Sequence, residues 1–200
     1  RFDELWTDRT RPFAAQVSQE RLYRSKALKQ ADVLMLIMLF PQDFTDTEVR
    51  RAWDYYLPYT THDSSLSAGA HAILACRLGL DDEAWQFWEK ARAIDLDVTH
   101  GGAAEGLHIA NAGAVWQMAV LGFAGMRTAM QSDVLTFEPR LPARWSRLAF
   151  PIAWKRGRLH VNCTPSSVTI RNDGPEPMPA RVSGVERTIQ PGQAAEWAMG

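Results

Sequence analysis

The spacing of apolar residues changes character near residue 130. Before it they recur at helical intervals between capping residues; after it they fall in short alternating runs separated by turns. The first helix predicted runs from about Ser25 to Phe40, with Pro41 as its stop. Its second half is apolar on every side, as expected of a helix buried in a shell of helices. Thr45 and Glu48 have capping-box spacing and open a helix through Trp53 and Tyr56 to Pro58. After a loop from Pro58 to Asp63, Ser65 or Ser67 caps a helix that ends near Gly79. Asp81 or Asp82 opens the next, carrying Trp85, Phe87, Trp88 and Ala91. Asp97 to Gly102 is a polar loop, and Glu105 to Arg127 reads as one long helix rich in Gly and Ala.

From Val134 the pattern is that of strands: Val134–Phe137, Leu148–Trp154, Leu159–Cys163, Val168–Arg171, Arg181–Val185 and Ala194–Ala198. Arg156-Gly157, Asn172-Asp173-Gly174-Pro175 and Pro191-Gly192 are the turns between them. The chain is therefore read as mainly α, then β. Residues 1–130 form a helical domain and 131–200 a small antiparallel β-sandwich, with Glu138 to Pro142 at the seam. Successive helical hairpins suit an α/α toroid, in which helix ends and connecting loops line a central pocket.

Composition narrows this only a little. Of 200 residues, 46% are hydrophobic and 22% charged, which is ordinary for a globular chain and unlike disorder. A net charge of −1 leaves no electrostatic footprint for nucleic acid or an anionic membrane. The apolar run from Val33 to Phe40 falls far short of the roughly twenty residues of a spanning helix. Arg1 to Arg11 is charged and lacks the apolar centre of a signal peptide. The chain starts abruptly on a residue other than Met, as a fragment or a processed product would. Cys76 and Cys163 lie far apart and fit buried thiols of a reducing compartment, hence a cytoplasmic location. The eight tryptophans decide nothing, since such rings fill cores as readily as they stack on sugars.

Three polar clusters sit at the edges of apolar helices. In Lys29-Gln30-Ala31-Asp32, adjacent ammonium and amide groups can grip vicinal hydroxyls, or the lysine can snorkel from a buried helix. Thr60-Thr61-His62-Asp63-Ser64-Ser65-Leu66-Ser67 leads hydroxyls into a helix start, where free N–H groups and the helix dipole favour an anion. An ordinary N-cap with spare polar residues explains the same run. His62 and Asp63 are adjacent and so do not make a catalytic dyad. In Glu105-Gly106-Leu107-His108, the imidazole can donate to a phosphate oxygen or be a satisfied structural histidine, while Glu105 can cap the helix. The histidines lack the spacing or cysteine partners of a zinc site, and neither a nucleotide phosphate loop nor a Gly-x-Ser-x-Gly elbow occurs.

In order and spacing, three segments together resemble motifs of glycoside hydrolase family 65: Leu28 to Val33, Thr60 to Ser67, and Ala104-Glu105-Gly106-Leu107-His108-Ile109-Ala110. Phe123-Ala124-Gly125-Met126-Arg127 and Leu135 to Pro142 are similar to that family's passage from barrel to C-terminal domain. The resemblance covers about residues 20 to 160. It implies the C-terminal part of an (α/α)6 barrel followed by a small antiparallel β-sandwich, with no metal or organic cofactor. It also implies an inverting phosphorylase: inorganic phosphate, as co-substrate, attacks an α-glucosyl disaccharide and gives β-glucose 1-phosphate and a free sugar. Phosphate then replaces the activated water of an inverting hydrolase, so only a general acid is needed.

On this resemblance Lys29 and Gln30 hold the transferred glucosyl unit, and Ser64, Ser65 and His108 bind phosphate. The family's general acid is a glutamate in a Gly-Pro-x-Glu-type motif upstream of the Lys-Gln pair, and no such motif occurs here. Glu105 matches a different family position. The expectation is a chain that is inert alone and poorly soluble or self-associating, from a parent that is homodimeric. A hydrolase of the same family and a non-catalytic carbohydrate-binding or structural fragment are the alternatives. The hydroxyls of Ser64 and Ser65, where a hydrolase would carry a carboxylate, favour the phosphorylase.

Overall fold

Local signals decide the helical half wherever caps are present. The structure, a computed structural model, describes residues 2–8, 11–96, 106–127 and 133–199. After the single turn α1 (Phe2–Leu5) and a short helix α2 (Gln19–Arg24), α3 spans Asp32–Leu39, α4 Asp46–Tyr56, α5 Ser67–Leu78, α6 Asp81–Ala93 and α7 Ile109–Gln117. The capping box forms as predicted: the Thr45 side chain accepts from the Glu48 N–H, and Glu48 accepts from the Thr45 N–H at 2.8 Å. Thr45→Ala removes the first of these bonds and is expected to lower unfolding stability by about 1 kcal/mol. An unchanged denaturant midpoint would show that the box contributes nothing. Gly79 closes α5 in the left-handed conformation at φ 72°.

Where the apolar pattern alone was available, the elements differ from expectation. The helix predicted from Ser25 begins only at Asp32. Residues 25–31 are instead drawn away by Leu28, which forms a parallel bridge to Thr60. Nor is α3 buried all round: Leu34 and Ile37 are in the core, whereas Leu36 and Leu39 are 47% and 58% exposed. The long helix predicted to Arg127 is α7 only to Gln117. It then passes into a π-helical turn, Met118–Phe123, and ends before strand β1, Met126–Arg127. Glu105 lies outside the described residues, as does the predicted boundary at 130/131.

The buried centre of the helical half is α5, in which every residue from Ser67 to Cys76 is inaccessible. Its small side chains let α6, α7 and the π-turn approach closely. Leu34, Ile37, Val49, Trp53 and Leu74 pack with Phe123 in one apolar cluster.

The β half contains strands β2 (Leu135–Phe137), β3 (Leu148–Trp154), β4 (Gly157–Cys163), β5 (Ser167–Asn172), β6 (Met178–Val182), β7 (Val185–Ile189) and β8 (Ala194–Ala198). They form two four-stranded sheets, β1-β2-β6-β7 and β3-β4-β5-β8, whose inner faces share one core of Phe137, Val182, Val161, Ile170 and Trp197. The expected sandwich is present, with one correction: β2 pairs with β6 in parallel. The predicted strand Arg181–Val185 is in fact a hairpin, β6 and β7 joined at Ser183-Gly184. Both turn residues have positive φ, 46° and 81°, as a two-residue primed turn requires. Pro151 lies in β3, an edge strand, where a missing N–H leaves no ladder bond broken in a central position.

The two halves meet through aromatic packing. Trp145, from the segment after the seam, lies 5.1 Å from Trp88 and 5.0 Å from Phe123 in edge-on contacts. These tryptophans therefore join domains. Cys76 and Cys163 are free, buried thiols in separate clusters, their pKa values pushed up to about 12 chiefly by burial. Among the described residues no helix is long and apolar enough to cross a membrane.

Candidate active site

The Leu28–Thr60 bridge brings two sequence clusters together. The Leu28 N–H donates to the Tyr59 carbonyl at 2.8 Å, and the Thr61 N–H donates to the Leu28 carbonyl at 2.7 Å. This short ladder aligns Lys29 and Gln30 beside the run that leads into α5. Both residues sit on loop backbone ahead of α3 rather than within a helix. Gln30 is fixed at both ends of its amide: it accepts from the Ser64 hydroxyl at 2.9 Å and donates to Asp32 at 3.0 Å. Lys29 opens onto a recess of about 300 Å³ shared with Leu22, Ala27, Thr61 and Asp63.

Beyond Thr61 and Asp63, which belong to both, lies a larger cleft of about 640 Å³. Its walls include Trp6, His62, Ser64, Ser65, Lys90 and His108. Four of these come from the run into the start of α5 and from the far end of the long α6–α7 connection, so the cleft gathers the second and third clusters. Lys29 and Gln30 flank it, Gln30 through its bond to Ser64.

The helix start is less open to an anion than its sequence suggests. The N–H of Leu66 donates to Ser64 Oγ at 3.3 Å, and the N–H of Ser67 to the Ser64 carbonyl at 3.1 Å. Leu66 is the residue at the N-cap position, and neither Ser65 nor Ser67 caps α5 with its side chain. The Ser67 hydroxyl instead meets His62 Nδ1 at 2.9 Å. What reaches the cleft is hydroxyl chemistry, from Ser64 and Ser65, more than helix N–H groups.

His62 and Asp63 do not act on one another. The Asp63 carboxylate receives the N–H groups of Phe13 and Ala14 at 3.4 and 3.5 Å. His62, with φ 56°, packs edge-on against His71 at 4.6 Å between ring centres. His71 is fully buried; its Nδ1 donates to the Ser67 carbonyl at 2.8 Å, and its Nε2 has no partner. Burial pushes His62 down to about 3 and His71 down to about 4, and the Lys90 charge pushes both in the same direction.

His108 is held by a residue the sequence did not disclose. Its backbone N–H donates to both carboxylate oxygens of Asp95, at 3.1 and 3.2 Å, and its Nδ1 lies 2.7 Å from Asp95 Oδ1. That pairing sets the ring's orientation and holds the Asp95 carboxyl below its ordinary value. Thirteen residues separate the two, and no fixed spacing marks such a pair. Lys90 was likewise missed, because a lysine on an amphipathic helix carries no local signal.

The comparisons with known proteins fall on these elements. Residues 2–117 match the model of the glycosyl hydrolase family 65 central catalytic domain, and residues 126–189 match the C-terminal domain of the same family. The chain is 41% identical over 151 residues to a maltose phosphorylase of Bacillus subtilis, covering 76% of this chain and 20% of that protein. It is 39% identical over 147 residues to an alpha,alpha-trehalose phosphorylase of Thermoanaerobacter brockii, covering 74% and 19%. A kojibiose phosphorylase of Caldanaerobacter subterraneus is 34% identical over 174 residues, covering 86% and 22%. A solved chain assigned as a kojibiose phosphorylase from the human microbiome superposes with a TM-score of 0.87 at 30% identity, covering 96% of this chain and 28% of that one. The chain thus spans about a fifth of the length of the curated relatives it matches. Its helices fit a portion of an (α/α)6 barrel, with the β domain following as in the solved relative. The chain belongs to glycosyl hydrolase family 65, with catalytic-domain sequence in its helical half and the family's C-terminal domain in its β half.

Proposed function

We propose that this chain supplies part of the active site of an inverting disaccharide phosphorylase. Inorganic phosphate attacks an α-glucosyl disaccharide to give β-glucose 1-phosphate and a free sugar, and a glutamate outside these 200 residues protonates the leaving oxygen. Lys29 and Gln30 bind the glucosyl unit; Ser64, Ser65 and His108 bind phosphate. The relatives named as phosphorylases support this reading.

The observation that carries it is the state of the carboxylates around the cleft. An inverting hydrolase needs a carboxylate able to activate water. Among the described residues lining the cleft, Asp63 is turned to backbone N–H groups and Glu89 is paired with Arg92. The remaining polar side chains include hydroxyl, imidazole, ammonium and the Arg11 guanidinium, which suit an anionic nucleophile. Exposed apolar residues on α3 support the further reading that more of a barrel packs there, in a parent we take to be a cytoplasmic homodimer.

The test supplies maltose, trehalose, kojibiose or nigerose to the protein at its full encoded length, with and without inorganic phosphate. Glucose 1-phosphate of β configuration, formed only when phosphate is present, is the expected result. Glucose released at the same rate without phosphate would replace this reading with the hydrolase. The 200-residue chain alone is expected to turn over none of them.

A further inference from the structure

A phosphate ion bound by hydroxyls and an imidazole still needs positive charge, and the cleft walls carry two cations, Arg11 and Lys90, against the carboxylates around them. Asp95 brings a carboxylate up against His108, and Asp63 adds another at the wall, while Glu89 is already paired with Arg92. Each of these carboxylates opposes an anion unless a cation compensates.

Lys90 is placed to do so. It stands near the end of α6, on the wall of the cleft that also carries Ser64, Ser65 and His108. Its side chain is accessible from the cleft, and no acceptor lies within hydrogen-bond distance of its ammonium among the described residues. The surrounding walls desolvate that ammonium enough to lower its pKa, and the Asp63 charge opposes the shift only in part. The Lys90 charge is also felt by both His62 and His71, so it lies on the side of α6 that faces the serine run. A cation held without a partner, at the mouth of a cleft lined with hydroxyls, is suited to an anion that comes and goes.

We propose that Lys90 is a phosphate-binding residue: its ammonium pairs with the attacking phosphate beside Ser65 and His108, and it does not contact the sugar. The inference rests on the phosphorylase reading.

Lys90→Met and Lys90→Arg are compared with the parent protein at its full encoded length, varying inorganic phosphate and the disaccharide separately. Lys90→Met is expected to raise KM for phosphate at least about tenfold while KM for the disaccharide stays within about twofold. Lys90→Arg, which keeps the charge, is expected to recover most of the loss. If the parent needs phosphate but Lys90→Met leaves its phosphate KM unchanged, this assignment fails and the phosphorylase reading stands. If the parent needs no phosphate, both fail. A rise in both KM values together, or a loss that Lys90→Arg does not repair, assigns Lys90 a structural part and overturns the proposal. Should Lys90→Met not fold, Lys90→Gln and the salt dependence of the phosphate KM in the parent decide. A phosphate KM as insensitive to salt as the disaccharide KM, together with an unaffected Lys90→Gln variant, would also refute it.

Discussion

Gly125→Ala is expected to destabilise the protein by about 3 kcal/mol or more, and to loosen the joint between the helical and β halves. Gly125 follows the π-turn at φ 61°, where a side chain is strained whatever space surrounds it. There is also no space. A Cβ added there would meet the Glu138 carbonyl oxygen at 1.9 Å and its carbon at 2.4 Å, both of them backbone. The close approach has a purpose: the Glu138 N–H donates to the Gly125 carbonyl at 3.0 Å, and the Arg140 N–H to the Phe123 carbonyl at 2.8 Å. These two bonds align β1 with β2 and set Trp145 against Trp88 and Phe123. The damage should therefore appear in both halves. A denaturant midpoint that moves by less than 1 kcal/mol equivalent, or a loss of cooperativity confined to the β half, would show that the joint tolerates strain. The cleft lies at the other end of α5, so surviving Gly125→Ala protein is expected to bind phosphate as the parent does.

That joint is also where reading the sequence went astray, for a definable reason. From Ile109 to Met126 the residues are apolar or small except Asn111 and Gln117, so periodicity alone extends one helix across them. The π-turn at Met118–Phe123 shifts the face presented by the following residues, and Gly125, at φ 61°, lets Met126 enter a sheet beside β2; one glycine in a run that also holds Gly113 and Gly122 does not mark that stop in the sequence. The same holds for Ser25–Ala31: nothing local forbids helix there, and only the ladder to Thr60, over thirty residues away, makes it a strap. By contrast α4 and strands β3 to β5 carry their own instructions in a capping box, alternation and turns, and they form as read; α6 also begins at Asp81, although no side chain caps it. Of the candidate residues in and beside the cleft, those lying in motif-like runs were legible: Lys29, Gln30, Ser64, Ser65 and His108. Asp95 and Lys90 were not, because their relation to the cleft exists only once α6 and α7 are packed. Reading the α5 start as an open anion site also omitted one local fact. Ser64 can turn back and take the N–H groups of Leu66 and Ser67 itself.

Acidification should unfold this protein well before its carboxylates are protonated. His62 and His71 are held down to about 3 and about 4, against 6.5 when unfolded. Above about pH 6.5 both are neutral in either state, and their neutrality costs the folded chain nothing. Between about pH 6.5 and 4 the unfolded chain binds protons that the folded chain refuses, so stability falls as pH falls. Two such sites give a slope of up to about 2.7 kcal/mol per pH unit, reduced where the partly accessible edge of His62 is solvated. The physical cause is specific. Protonating His71 would place a second N–H in a pocket of Trp53 and Phe87 rings with no acceptor, since Nδ1 already serves the Ser67 carbonyl. Protonating His62 would set a second positive charge beside His71 and near Lys90. Denaturant midpoints measured from pH 7.5 to 5 should decline steeply below about 6.5, and His71→Gln, which keeps a donor for Ser67 but cannot titrate, should flatten the decline by about half. A parent whose stability is level from pH 7 to 5 would rule this account out.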